Sequence, residues 1–159
     1  KTINMKKISN IILPIIYNNE IKKIYLHEEI KNKRVIIFGL PGAFTPTCSD
    51  NHLPGYLNLY KKLKQKYIDD VYCLSVNDHY VMQAWFLSKG IKNSIKGIAD
   101  GNADLTKSLD LLTDKSKNYM GMRSNRFVTI VKNFEIQHLF IEKSGELKVS
   151  SAEEVLKII

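Results

Sequence analysis

Cysteine is scarce in this sequence, and arginine is nearly as scarce. The 159 residues include two cysteines, Cys48 and Cys73, which excludes a dense disulfide framework and a zinc site built from cysteine alone. Such sparing use points to a reducing compartment. Long apolar runs are also missing. Ile11 to Tyr17 falls far short of the roughly 20 residues that cross a bilayer, so no membrane partner is expected. No internal repeat, low-complexity block or Pro/Gly-rich linker interrupts the chain, and residues 1–159 are expected to form one domain. A composition of 44% hydrophobic and 25% charged residues excludes wholesale disorder. The chain begins at Lys1 rather than at a methionine, which leaves a removed leader open. The compartments compatible with it are the cytoplasm and, with a leader removed, a plastid or mitochondrial matrix.

Basic residues are plentiful, giving a net charge of +8, yet 21 of the 24 are lysine and 3 are arginine. Arginine is the fork that reads phosphates and base edges best. The lysines are scattered, and the densest group, Lys61-Lys62-Lys64-Lys66, is interleaved with Leu59, Tyr60 and Leu63 at helical spacing. That pattern describes a solvated helix face, and no nucleic-acid partner is expected.

Periodicity places the elements. Ile11 to Tyr17 and Lys22 to Leu26 read as two strands around a turn at Asn18-Asn19. Val35-Ile36-Ile37-Phe38-Gly39-Leu40 and Val71 to Val76 are continuous runs of the kind buried on both sheet faces. Leu53, Leu57, Tyr60, Leu63 and Tyr67 predict a helix from about Thr47 to Lys66, irregular at Pro54-Gly55. Further helices are expected at His79 to Ser88 and near Ala103 to Leu109, with a short strand between them near Ile95 to Ala99. Strands at Phe127 to Val131 and Glu135 to Ile141 and a capped helix from Ser151 to Ile159 end the chain. Alternating strands and helices indicate an α/β fold, a central mixed β-sheet flanked by helices in thioredoxin-like order, with an N-terminal β-hairpin extension.

The chemistry concentrates in Gly39-Leu40-Pro41-Gly42-Ala43-Phe44-Thr45-Pro46-Thr47-Cys48-Ser49, where a buried strand turns into a helix. Unpaired N–H groups and the positive dipole end of a helix favour a thiolate in its first turn. Thr45 can offer its hydroxyl to the sulfur or to a substrate oxygen, and Pro41 and Pro46 fix the turn. Cys48 could equally be a small buried residue flanked by ordinary loop prolines. The combination of prolines, hydroxyl and helix-start thiol favours the reactive reading.

Pro41-x-x-x-Thr45-x-x-Cys48 matches the active-site pattern of peroxiredoxins, and the fuller segment resembles the peroxiredoxin-5 (plant type II) subfamily. The likeness extends through His52-Leu53-Pro54-Gly55, Cys73 to Asp78, Trp85, Ala99-Asp100, Asp110-Leu111 and Gly121-x-Arg123-Ser124-x-Arg126-Phe127. The resemblance implies a thiol peroxidase in antioxidant defence that acts on hydrogen peroxide and alkyl hydroperoxides with no metal or organic cofactor. Cys48 would be the peroxidatic cysteine, passing through a sulfenic acid. Thr45 would hydrogen-bond the attacked oxygen, and Arg126 would stabilise the thiolate and the leaving oxygen. Pro41, Gly42 and the Cys48 N–H would complete the pocket. Arg123 would support it or form a structural ion pair. A homodimer through the Phe44 face is implied as well.

The segment from Glu146 to Ala152, where some relatives place a resolving cysteine, has none, and Cys73 reads as a core thiol. A one-cysteine cycle is therefore expected, recycled by glutathione with glutaredoxin or by thioredoxin. His52, four residues after Cys48, is either a base paired with the thiol or a structural histidine. Two other functions stay open: a general thiol–disulfide oxidoreductase, weakened by the lack of Cys-x-x-Cys, and a basic binding protein in which Cys48 is incidental.

Overall fold

The computed structural model describes residues 6–159, and the chain start at Lys1 lies outside the described residues. The elements run β1 (Ile12–Tyr17), β2 (Glu20–Tyr25), α1 (Leu26–Ile30), β3 (Arg34–Leu40), α2 (Leu53–Gln65), β4 (Asp70–Ser75), α3 (His79–Ser88), β5 (Lys96–Ala99), α4 (Asp104–Ser108), β6 (Leu112–Asp114), β7 (Met122–Ser124), β8 (Phe127–Lys132), β9 (Glu135–Ile141) and α5 (Ala152–Ile158). Seven strands form a mixed sheet in the order β2-β1-β5-β4-β3-β8-β9, while β6 and β7 pair as a separate ribbon. The unbroken apolar runs become the parallel strands β3 and β4 at its centre. Asn18 and Asn19 both take positive φ, the backbone that a two-residue hairpin turn needs, and the β1–β2 hairpin follows.

Side chains of β3 alternate between two cores. Ile36, Phe38 and Leu40 pack with residues of α2, α3 and α5, whereas Val35 and Ile37 pack with residues of α1 and α4. The sheet is thereby covered on both faces. The lysines of α2 lie exposed while Leu63 is buried, as a solvated face requires.

Three details differ from the sequence reading. The irregularity of the long helix lies before Pro54: a π-helical turn occupies Cys48–His52, and α2 then starts at Leu53. Pro54 has no N–H to donate, and its ring would crowd the Asp50 carbonyl of an unbroken α-helix, so a wider turn absorbs it. Tyr67 is not on the buried helix face. The helix stops at Gln65, Tyr67 adopts φ 63° and lies exposed, and Tyr56 is the buried tyrosine of α2. The β6–β7 ribbon and α1 carry no period long enough to read.

β3 and β4 run parallel, and β8 runs antiparallel to β3 with Gly39 opposite Phe127. The end of β3 and the start of β8 therefore meet at one end of the sheet, which brings Pro41 and Arg126 together. The carboxyl ends of parallel strands are where α/β folds collect their ligands.

Candidate active site

β3 ends at Leu40, and five residues later the chain enters a helix. The Thr45 carbonyl accepts the first helical hydrogen bond, from the Ser49 N–H at 2.8 Å. Pro46 then occupies the first helical position, where a missing N–H costs nothing. Cys48 consequently sits in the first turn, with its side chain only 1% exposed. The loop before it is tied down at several points. Ala43 N–H donates to Asn77 Oδ1 at 3.0 Å, and Thr45 Oγ1 donates to the Gly42 carbonyl at 2.7 Å. The Thr45 proton is thus committed to the backbone rather than to sulfur, leaving its lone pairs to accept. A Cβ on Gly42 would come within 3.1 Å of Arg123 Nη1 and of Met120 Cε, so a larger residue there would have to push both side chains aside.

Arg126 is the hub. Its Nη2 donates to Cys48 Sγ at 3.2 Å and its Nη1 donates to His52 Nδ1 at 2.9 Å. Because Nδ1 accepts, the His52 proton sits on Nε2, which donates to the Ser150 carbonyl at 3.1 Å. Burial, and then the Arg126 charge, push the imidazole down to about 3 against the partial support of that carbonyl, so His52 is neutral at physiological pH. Both ring nitrogens are engaged and neither faces the thiol, which removes the Cys–His base reading. The anchor is itself held. Tyr56 Oη donates to the same Ser150 carbonyl at 2.7 Å, and Ser150 gives its N–H and its hydroxyl to Glu142 Oε2, each at 2.8 Å. Glu142 N–H in turn donates to the Arg126 carbonyl at 2.9 Å, closing the ring of contacts.

Arg123 lies on β7 and bonds carbonyls, not a carboxylate: Nε to Met120 O at 2.8 Å and Nη1 to Pro41 O at 3.4 Å. Among the described residues it forms no ion pair, so that alternative is set aside. Cys73 is fully buried on β4 opposite Phe38, and burial, then the nearby Cys48, push its thiol up. Trp85 is core, giving its indole N–H to Ser49 Oγ at 2.8 Å, while Phe44 (φ 64°) and Tyr80 lie exposed. Asn77, Tyr56, Glu142 and Ser150 are positioning contacts that the sequence pattern does not assign, and His52 takes the structural role of its two alternatives. For His52 the i,i+4 spacing from Cys48 was the available signal.

An open cavity of about 290 Å³ lies among Pro41, Thr45, Thr47, Lys115, Met120 and Arg126. A larger one, about 760 Å³, involves Arg34, Tyr67 and Lys132 at the opposite end of the sheet and is remote from the thiol. A thiol donor-bonded to a fixed guanidinium, with a hydroxyl oxygen free to accept, is suited to attack on a polar O–X bond and to holding the oxyanion that departs.

The redoxin family model matches residues 8–156. Peroxiredoxin-2C of Oryza sativa subsp. japonica is 40% identical over 141 residues, spanning 89% of this chain and 87% of that protein. The chain belongs to the peroxiredoxins. Among solved structures, the Plasmodium falciparum antioxidant protein, a 1-Cys peroxiredoxin, superposes with a TM-score of 0.90 at 38% identity, covering 99% of this chain and 98% of that one. Reduced Prx3 of Vibrio vulnificus in complex with H2O2 gives 0.91 at 35% identity, covering 99% of each. This peroxiredoxin falls with the plant type II and peroxiredoxin-5 group, and it is a thiol-dependent peroxidase on a thioredoxin-like fold. No helix among its described residues is long and apolar enough to cross a membrane.

Proposed function

We propose that Cys48 reduces hydrogen peroxide and small alkyl hydroperoxides in a one-cysteine cycle. The observation that carries this reading is the Arg126 guanidinium bonded at once to Cys48 Sγ and to a neutral, anchored His52. The Cys48 thiolate attacks one peroxide oxygen, the O–O bond breaks, and the departing alkoxide or hydroxide takes up a proton to leave as alcohol or water. Cys48 becomes a sulfenic acid. Thr45 Oγ accepts the hydrogen bond of the bound peroxide, since its own proton rests on Gly42 O. Arg126 holds sulfur and the developing oxyanion together. Pro41 and Gly42 shape the pocket, the Cys48 N–H adds a donor, and Arg123 fixes the Pro41 carbonyl.

An external thiol then displaces water from the sulfenic acid to give a mixed disulfide, and a second thiol releases Cys48 as the free thiol. The burial of Cys73 and the lack of cysteine between residues 146 and 152 support resolution from outside the chain. Glutathione with glutaredoxin, or thioredoxin, is the proposed reductant. The exposed Phe44 beside the active-site loop supports a homodimer through that face. The redoxin match over residues 8–156 supports reading the whole chain as one domain. The proposed location is the cytoplasm or an organelle matrix.

The test is to mix the reduced protein with stoichiometric hydrogen peroxide and to follow Cys48 by intact mass and a sulfenic-acid trap. Trapping at Cys48 at rates far above those of a free thiol, and lost in Cys48→Ser, is the expected result. A rate equal to that of free cysteine overturns the proposal.

A further inference from the structure

The cavity beside the thiol is far larger than a peroxide requires. A water-sized molecule occupies about 30 Å³, whereas the space between Pro41, Thr45 and the 115–120 loop is about 290 Å³. A smaller recess of about 80 Å³ continues from it past Pro41, Thr47 and Arg126 toward Glu142 and Lys143. Lys115 lines both.

The larger cavity is lined by two cations, Lys115 and Arg126, and by no carboxylate. Arg126 has two of its N–H groups committed to Cys48 and His52 and serves the reacting atoms. Glu142 lines the smaller recess beside Lys143, and its Oε2 is turned to Lys148 N–H, Ser150 N–H and the Ser150 hydroxyl, three donors within 2.8 Å. Asp114, next to Lys115, is exposed and accepts from the Ser116 N–H. Neither Lys115 nor Lys143 is in an ion pair with a described residue. The backbone of Lys115 is held in place. Its N–H donates to Gly121 O at 2.7 Å, and its carbonyl accepts from Asn118 at 2.9 Å and from Met120 at 3.2 Å.

We infer that Lys115, assisted by Lys143, forms a subsite for a carboxylate carried by a small substrate of Cys48. The inference rests on the peroxidase reading above and names a chemical class for its substrates. An ammonium at the mouth of the pocket adds a charge-assisted contact to any anionic molecule whose reactive end reaches the sulfur. The carboxylate has two possible bearers, because the same mouth admits the hydroperoxide that oxidises Cys48 and the thiol that attacks its sulfenic acid.

The experiment uses two matched pairs. Oxidation of the reduced protein is timed with tert-butyl hydroperoxide and with 3-hydroperoxy-3-methylbutanoate. Reduction of the sulfenic acid is timed with glutathione and with its diethyl ester. Each rate ratio, carboxylate over neutral, is compared between the parent protein and the variants Lys115→Gln, Lys115→Glu and Lys143→Gln. Lys115→Gln is expected to lower the ratio about three- to five-fold, the size of a partly exposed ion pair, and Lys115→Glu to lower it further. Added salt shrinks the parent's preference. A drop in the peroxide pair assigns the subsite to an anionic hydroperoxide, and a drop in the thiol pair assigns it to an anionic thiol. Unchanged ratios in both pairs overturn the subsite. Failure of hydrogen peroxide itself to oxidise Cys48 overturns instead the peroxidase reading beneath it.

Discussion

Replacing His52 by leucine separates the placement of Arg126 from its mere presence. The imidazole accepts from Arg126 Nη1 at 2.9 Å and passes the constraint to the Ser150 carbonyl. Leucine fills much of the same volume against Phe38 and Tyr56 but accepts nothing. One donor of a partly buried guanidinium is then unpaired, and the arginine is free to swing from the sulfur. A hydrogen bond to a charged group is worth about 1.5–3 kcal/mol. At about 1.4 kcal/mol per decade, full expression of that loss in the transition state lowers the second-order rate with hydrogen peroxide roughly ten- to hundred-fold. His52→Gln, whose amide oxygen can accept from Nη1, should recover most of it. The reporter is built in: the single tryptophan, Trp85, bonds Ser49 beside Cys48, and its fluorescence can be followed by stopped flow. Urea unfolding of each variant keeps a stability effect apart from a rate effect. A His52→Leu protein that unfolds at the parental midpoint and reacts within two-fold of the parental rate would refute the reasoning.

The remaining predictions test stability and the second thiol. The folded His52 titrates at about 3, below its ordinary 6.5, so the unfolded chain binds that proton first. The stability contributed by neutral His52 is fully present above pH 6.5 and falls by about 1.4 kcal/mol per unit as the pH drops from there toward 3. Urea midpoints across that range measure the slope, which His52→Leu should flatten. Gly39→Ala should destabilise by about 1–3 kcal/mol or more, because its Cβ would lie 2.0 Å from the Phe127 ring. Phe127→Leu in the same chain should return part of the loss in a thermal melt. Cys73→Ser should keep near-parental peroxide turnover in a coupled assay while losing about 1 kcal/mol or more of stability by placing a hydroxyl in an apolar position. Loss of turnover without loss of folding would exclude the one-cysteine cycle.

The fold was legible where one physical requirement dominates a segment. The run Val35 to Leu40 admits little but a strand covered on both faces, and Asn18-Asn19 supplies the two positive-φ positions of a hairpin. Short elements escaped because tertiary contacts specify them. The ribbon of β6 and β7 has three residues in each strand, too few for alternation to register, yet it carries Arg123 and presents Lys115 to the pocket. Tyr67 misled because its spacing from Leu63 fits a helix that had already ended.

The site divides along the same line. Pro41, Thr45 and Cys48 share one loop and are readable as a unit, but the partners of Arg126 lie 74 and 78 residues away in sequence. An ordinary α-helical turn places residues i and i+4 on one face, so the sequence leaves His52 either a base for Cys48 or a structural histidine. The folded chain decides between them. The antiparallel docking of β8 on β3 delivers Arg126 to both side chains. A cation bonded to each removes any use for a proton transfer between them. Burial beside that cation keeps the imidazole neutral, and a neutral imidazole is the form that can accept from a guanidinium. The geometry makes His52 a clamp and not a base, and the proton that it retains points away from sulfur, toward Ser150.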